Sequence, residues 1–479
     1  MLRNALLTGL AFVAFGLTKF LFGVLVIRWD PGLVGEINHT LSIFLLVALF
    51  FAPGLGMVVS KFASEFRGAG QIRKAQEVFT LSFLVVSVLA VVCTLVLFVF
   101  FDRVKGRVDV SPTTRYGLTP MLLLYSLYVF LRTSYYGFDR VPLYLRNELV
   151  SSAVFFGVLA VALVARSRWL VVLPFAAHSV LFVGIALADL RDQFRFRRLA
   201  AGVVQDLRRY AHFFGCTIVN SLAAPGAFHF GIILTGWLTG DTKTVGYYSV
   251  LLYSLQPLNL FPATLISVLM PTVSHSHGSG ATSESIAATS RVFRPLFLLM
   301  TAIWGGGAIL GWEAIRVITE TTRQDLLIAF EVLLFGAYCY LISTPPSVLL
   351  NGTRHIGVIA LGGAVSLGIT LGLWLVVVPV YGLPGAAAGY AFLGVFQGVW
   401  AFVAAFLIFR WIARVGWDVG LTLLAAVALG ALSLTGKSLV VHLAAAGAFA
   451  LLFLVLHLRE LREYAERILA EARAYVVKT

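Results

Sequence analysis

The stretch ALLTGLAFVAFGLTKFLFGVLVI, Ala5 to Ile27, decides the fold class. It runs for about 23 residues with one ionisable side chain, Lys19, near its centre, and a helix of that length crosses the hydrocarbon core of a bilayer. It is too long for the apolar core of a cleavable signal, and only Arg3 precedes it, so it reads as a retained first spanning helix. An ionisable group at bilayer depth costs roughly 2.5 to 3.5 kcal/mol on insertion scales, and such a residue is read first as a site. Few carboxylates are expected at the same depth in the rest of the chain, so that site favours an anion.

The remaining sequence repeats the pattern. Of 479 residues, 59% are hydrophobic and 12% charged, too little polar surface for a soluble domain of this length. Windows of about 19 residues place about fourteen spanning segments, among them 39–60, 118–137, 149–166, 210–236, 246–271 and 417–434. An even count puts both termini on one side. Loops on that side collect about 24 Lys and Arg against about 11 opposite, which places both termini in the cytoplasm of a multi-pass protein of the cell (inner or plasma) membrane. Arg103, Lys105, Arg107 and Arg115, within 102–117, fall outside and run against that count. The net charge of +14 follows from topology and from attraction to lipid headgroups, so no nucleic acid is implied. Cys93, Cys216 and Cys339 all sit in apolar segments, which offers neither a disulfide framework nor a metal cluster.

The longest polar break in the first half carries Arg191, Arg195, Arg197, Arg198, Arg208 and Arg209. It divides an all-α polytopic protein into two pseudo-symmetric six-helix lobes, 1–190 and 210–410, joined by a basic cytoplasmic linker, 191–209. Two additional spanning helices follow over 411–457, and then a cytoplasmic amphipathic tail, 458–479. The lobes echo each other faintly: Val34-Gly35, Leu41 and Phe51-Ala52-Pro53 find counterparts in Val245-Gly246, Leu252 and Phe261-Pro262. Six helices per unit keep orientation unchanged, as in transporters whose repeats rock around a site at the midplane.

Several of these positions carry a family resemblance. Asp30-Pro31-Gly32-Leu33-Val34-Gly35, Leu41-Ser42, Pro53-Gly54-Leu55-Gly56 and Ser60-Lys61-Phe62-Ala63-Ser64-Glu65 resemble the opening of the polysaccharide transporter family. These are oligosaccharide-lipid flippases, of the superfamily that also holds MATE multidrug exporters and lipid II flippases. Asn351-Gly352-Thr353-Arg354 and Pro379-Val380-Tyr381-Gly382-Leu383-Pro384-Gly385-Ala386-Ala387 are similar to that family's signature around its eleventh and twelfth helices. The likeness runs loosely over residues 1 to 410. It departs at Ala227-Phe228-His229-Phe230, where the seventh helix of the family often carries an Asp-Arg pair.

The resemblance implies a polyprenyl-linked glycan as substrate, membrane lipids as surroundings, and polysaccharide polymerase or assembly proteins as partners. Passing a phosphate or pyrophosphate and a glycan through hydrocarbon requires cations for phosphate, hydroxyls and amides for sugar, and aromatic faces for sugar rings. The fourth segment supplies Tyr125, Tyr128, Arg132 and Tyr135 at 3-4-3 spacing, one face of a helix. Tyr253, Gln256 and Asn259 in the eighth, Asn220 in the seventh and Gln397 in the twelfth complete the substrate-binding candidates. For each tyrosine, packing is the competing reading; for Arg132 it is interfacial anchoring. Glu331, His178 and His229 are the candidates for a coupling ion or proton, with structural pairing as their alternative. No cofactor and no metal is expected, and the coupling ion, Na+ or H+, stays open. Zinc spacings, phosphate loops, nucleophile elbows and a large external loop are all absent from the sequence, which points away from an enzyme. An ion-coupled exporter of organic cations on the MATE fold is the alternative function.

Overall fold

The computed structural model describes residues 2–195, 207–259, 269, 273, 281–353, 355–413, 416–435 and 438–476. Among them no strand occurs. The helices are α1 (Leu2–Ile27), α2 (Pro31–Leu49), α3 (Ala52–Gly68), α4 (Ile72–Val104), α5 (Pro112–Leu118), α6 (Met121–Gly137), α7 (Val141–Ala165), α8 (Arg168–Asp189), α9 (Leu207–Ser221), α10 (Ala227–Thr239), α11 (Thr242–Ser254), α12 (Thr282–Ile309), α13 (Gly311–Thr319), α14 (Gln324–Ile342), α15 (Thr344–Gly352), α16 (Ile356–Tyr381), α17 (Leu383–Phe409), α18 (Trp417–Thr435) and α19 (Leu439–Val476). Among the described residues, ten helical stretches are long and apolar enough to cross a membrane, and each falls on an expected segment. The protein is an all-α polytopic membrane protein. The four other expected segments fall on shorter or interrupted helices: α6, α9 with α10, α11, and α18.

The expected second span, 39–60, is in fact two helices. α2 begins at Pro31, because Asp30 caps it by accepting a hydrogen bond from the Leu33 amide at 3.1 Å and proline presets the first turn. It ends at Leu49, and α3 resumes at Ala52 with Pro53 in its first turn, where the missing amide costs nothing. Hydropathy hides the first half of α2, since Glu36, Asn38 and His39 are polar. All three are buried against protein rather than lipid. Glu36 accepts from the amide and hydroxyl of Ser111, and the His39 ring bonds the Lys105 carbonyl at 3.0 Å. Elsewhere proline also interrupts helices: a π turn at Leu222–Gly226 contains Pro225 and joins α9 to α10, and Pro345-Pro346 open α15 after a break at Ser343. Pro257 lies in the 3-10 turn Gln256–Asn259; Pro262 is outside the described residues. The backbone of the expected tail continues α19 without a break to Val476.

Contacts group the chain into two units: Met1–Val268 with His355–Leu393, and Leu269–Arg354 with Gly394–Thr479. In this grouping α9 to α11 belong with α1 to α8, while most of the basic linker lies outside the described residues. α16 and the start of α17 join the first unit, where the Trp374 indole and the Tyr248 hydroxyl both donate to the Ala386 carbonyl, at 2.9 and 3.3 Å.

Within the first unit the sequence echo becomes a contact. Gly35 and Gly246 face each other so closely that a methyl group on Gly35 would lie 2.8 Å from the Gly246 nitrogen, and one on Gly246 would lie 3.1 Å from the Gly35 nitrogen. Only glycine fits at such an approach. One turn on, the Asn38 amide donates to the Ser249 hydroxyl at 2.7 Å, two residues separated by 211 positions, the offset that also relates Val34-Gly35 to Val245-Gly246. The same offset carries Asp30 to Asp241, which caps α11 by accepting from the Lys243 and Thr244 amides at 3.0 Å. Equivalent residues of the echo therefore touch each other along α2 and α11.

The second unit is built on α12, which packs against α14, α15, α18 and α19. Arg294 on α12 bonds Asp418 of α18 at 3.0 Å and also Glu460 of α19. The Trp411 indole donates to the Ser290 hydroxyl at 3.0 Å.

Candidate functional site

α1 and α6 bring two cations to one aromatic ring in the first unit. Lys19 is 9% exposed, and its ammonium lies 4.9 Å from the centre of the Phe15 ring, 5.7 Å from Tyr125 and 5.8 Å from Tyr253. The Arg132 guanidinium sits 5.7 Å from the same Phe15 ring, 5.3 Å from Phe12 and 5.4 Å from Tyr128. Phe15 stacks on Tyr128 at 5.5 Å, and Tyr128 on Tyr125 at 5.8 Å. Each face contributes about 0.5 to 2 kcal/mol, the larger figure where water is excluded, which offsets part of the cost of burying the charges. Among the described residues neither Lys19 nor Arg132 has a carboxylate within ion-pair distance.

A small cleft adjoins Lys19, lined in part by Phe15, Lys19, Tyr125, Tyr128, His178 and Ser179, while Arg132 is not in its lining. Helical spacing produces this grouping: Tyr125, Tyr128 and Arg132 repeat every three to four residues and so present one face of α6 to α1. Tyr253 reaches it from α11, and the 3-10 turn carrying Gln256 packs against α1.

The other candidates are placed differently. Tyr135, fully buried, donates to Asp189 at 2.9 Å, on the polar seam of α6, α7 and α8 where Asn147 bonds the Phe182 carbonyl. His229 bonds the Ser42 hydroxyl at 3.3 Å on the buried side of α10. Asn220 and Gln256 are half-buried, and the side chain of Asn259 lies outside the described residues. Gln397 and Glu331 lie in the second unit, Glu331 half-buried beside Gly311 with an unbonded carboxylate oxygen.

Glu148 is a buried acid near these candidates that sequence reading missed. Hydropathy starts the fifth segment at residue 149, which leaves Glu148 on a rim, whereas α7 begins at Val141 and carries it two turns inward. It is fully buried. Its carboxylate accepts from the Tyr128 hydroxyl at 3.0 Å and faces His178 Nε2 at 3.1 Å. The expectation of few carboxylates at depth is thus corrected, since Glu36, Glu77 and Glu148 are all buried, each more deeply than the candidate Glu331. Spacing gives a usable signal: Glu148 falls on the same face of α7 as Tyr144, Ser151, Ser152 and Phe155, every one of them buried.

In the second unit Asp418, His457 and Glu460 place their ligand atoms within 4.8 Å of one another. Both carboxylates already bond Arg294, which supplies the neutralising charge, so the group reads as an ion-paired clasp of three helices.

No protein-family model matches the chain, and no curated protein matches it in sequence. Solved structures do. A lipid II flippase, MurJ, in an inward closed conformation is 13% identical over 96% of this chain and 99% of its own, with a TM-score of 0.71. An inward-facing multidrug resistance MATE family transporter of the MOP superfamily is 12% identical over 82% and 93%, at 0.68. A MOP superfamily transporter from Pyrococcus furiosus, described as having a binding pocket of reverse polarity that suggests a different function, is 14% identical over 85% and 94%, at 0.61. The chain shares its fold with these solved structures.

Proposed function

We propose that the protein is a flippase that moves a polyprenyl phosphate- or pyrophosphate-linked oligosaccharide from the cytoplasmic to the outer leaflet, for cell-surface polysaccharide biosynthesis. The carrying observation is the pair of cations, Lys19 and Arg132, resting on aromatic rings beside a cleft with no carboxylate paired to either among the described residues. Rings cushion the charge without spending the N–H donors, which remain available to phosphate oxygens. Tyr125, Tyr128 and Tyr253 supply faces for sugar. The polyprenyl chain stays in lipid, both termini lie in the cytoplasm, and alternating access of the membrane-embedded helices carries the head group across. Polymerase or assembly proteins take up the product, and Na+ or H+ drives the cycle, with Glu331, His178 and His229 as coupling candidates.

A second reading, export of organic cations coupled to an ion, draws on Glu148, because a buried acid beside the cleft is what a cationic drug would seek. That acid is engaged by Tyr128 and His178, while Lys19 lines the cleft, so the flippase reading is the better supported. The test is translocation of a fluorescent lipid-linked oligosaccharide in proteoliposomes. Lys19→Ala should abolish it while the protein elutes as a folded species, and Lys19→Arg should restore a part. Normal flipping by Lys19→Ala, or uptake of an organic cation that Lys19→Ala leaves intact, would overturn the assignment.

A further inference from the structure

A second concavity lies in the first unit, away from the Lys19 cleft and sharing no lining residue with it. α3 packs against both α4 and α9, and an apolar groove runs between those two helices with Val58 of α3 in its floor. α4 lines it with Val78, Leu81 and Val85, one stripe of a helix, and α9 with Leu207, Ala211 and Phe214, another. The span from Val78 to Val85 makes the groove about 10 Å deep. Its free volume of about 200 Å³ is over ten times the roughly 10 to 15 Å³ that one water requires, and its walls are almost wholly apolar. Leu207 and Val85 are 53% and 38% exposed, so the groove opens to the surroundings of the helices.

The mouth is cationic. One turn back from Val78 the α4 stripe reaches Lys74, whose ammonium lies 5.6 Å from the centre of the Phe66 ring of α3. One turn on from Val58, Lys61 of α3 places its ammonium 4.2 Å from the ring of Phe213, the neighbour of Phe214, and 5.5 Å from that of Phe62. Phe62 and Phe66 are one turn apart, so the two ammonium groups stand over successive turns of α3. Among the described residues neither lysine forms an ion pair, and Glu65, one turn past Lys61, is held by Arg209 at 2.9 Å. Arg73 and Arg208 are exposed on the adjoining turns of α4 and α9.

We propose that the groove seats one acyl chain of an anionic phospholipid, with Lys61 and Lys74 holding its phosphate. An apolar slot about 10 Å deep takes a hydrocarbon chain and excludes a head group, and two unpaired cations at its open end select a head group of net negative charge. The orientation proposed above puts this end in the cytoplasmic leaflet, where anionic lipids concentrate. The seated chain fills the space between α4 and α9 and holds both against α3.

The experiment is native mass spectrometry of the delipidated full-length protein, titrated with dioleoyl phosphatidylglycerol or with dioleoyl phosphatidylcholine. One phosphatidylglycerol should bind about 5- to 25-fold more tightly than phosphatidylcholine. Lys61→Gln and Lys74→Gln should each weaken phosphatidylglycerol about fivefold, one cation's share, and leave phosphatidylcholine unchanged. Ala211→Trp, set in the exposed wall, fills the groove and should remove the tight site with both cations in place; where it does not fold, Ala211→Leu replaces it. Lys19→Ala should keep the full preference, so this result is separate from the fate of the flippase reading. Equal binding of the two lipids, or a preference that survives joint replacement of Lys61 and Lys74, overturns the lipid site. So does loss of the preference in Lys19→Ala, which moves the lipid to the cleft. A dimer that dissociates in Ala211→Trp while lipid binding is unchanged assigns the groove to a second copy of the chain and likewise overturns it.

Discussion

Arg132 and Arg294 are both set in membrane-embedded helices, and their surroundings are opposite. Arg294 is gripped by Asp418 and Glu460, so its charge is neutralised within the protein and its donors fasten α12 to α18 and α19. Arg132 lies against Phe12, Phe15 and Tyr128 and shares Phe15 with Lys19, with no paired acid among the described residues. A buried charge answered by carboxylates holds structure together. One cushioned only by rings keeps its recognition capacity, because a quadrupole attracts a cation without accepting its hydrogen bonds in a fixed geometry.

The comparison breaks most sharply under exchange of phenotypes. Arg132→Ala should reduce binding of the lipid-linked oligosaccharide by about 10- to 100-fold, the equivalent of one charge-assisted contact of about 1.5 to 3 kcal/mol, with little change in thermal stability. Arg294→Ala should do the reverse. Leaving Asp418 and Glu460 without their cation should destabilise the second unit by about 1 to 3 kcal/mol, a figure below that of a fully buried pair because the groups are partly exposed. Tryptophan fluorescence during heating would measure it, and loss of anion binding in Arg294→Ala at unchanged stability would dissolve the distinction. A smaller effect, about two- to fivefold weaker binding, should follow from Tyr125→Leu, which removes one ring worth about 0.5 to 1 kcal/mol.

Arg140 offers the mildest test, because it is an ion pair outside the spanning helices. Its guanidinium beside Asp192 holds that carboxyl below the usual carboxylate range. A lowered folded-state value means the pair stabilises above the unfolded value near about 3.9 and ceases to do so as pH falls through the folded one. Melting curves of wild type and Arg140→Gln should therefore converge at acid pH and differ slightly near neutrality. The difference is small because Asp192 is about half exposed to water.

Spanning segments were legible because lipid leaves a backbone few choices, and long apolar runs such as Ala5 to Ile27 have no other use. α2 was half hidden for the converse reason: Glu36, Asn38 and His39 look like loop residues to a hydropathy window, and they are buried against α5, α11 and the end of α4. Glu148 disappeared by the same route. The aromatic and cationic face of α6 could be read from spacing alone, and Tyr125, Tyr128 and Arg132 meet Lys19 as that spacing suggests. Tyr135 shows the limit, since one more turn along the same helix carries the side chain into a seam closed by Asp189 and Asn147. Periodicity assigns a face, and only tertiary packing decides where that face stops being open.

The contact between Asn38 and Ser249 also marks what the echo leaves out. Moving 211 positions along from Lys19 arrives at Phe230, so the offset that pairs Asn38 with Ser249 and Gly35 with Gly246 does not repeat the cation. On the proposed reading, the head group is gripped from one member of the echo alone.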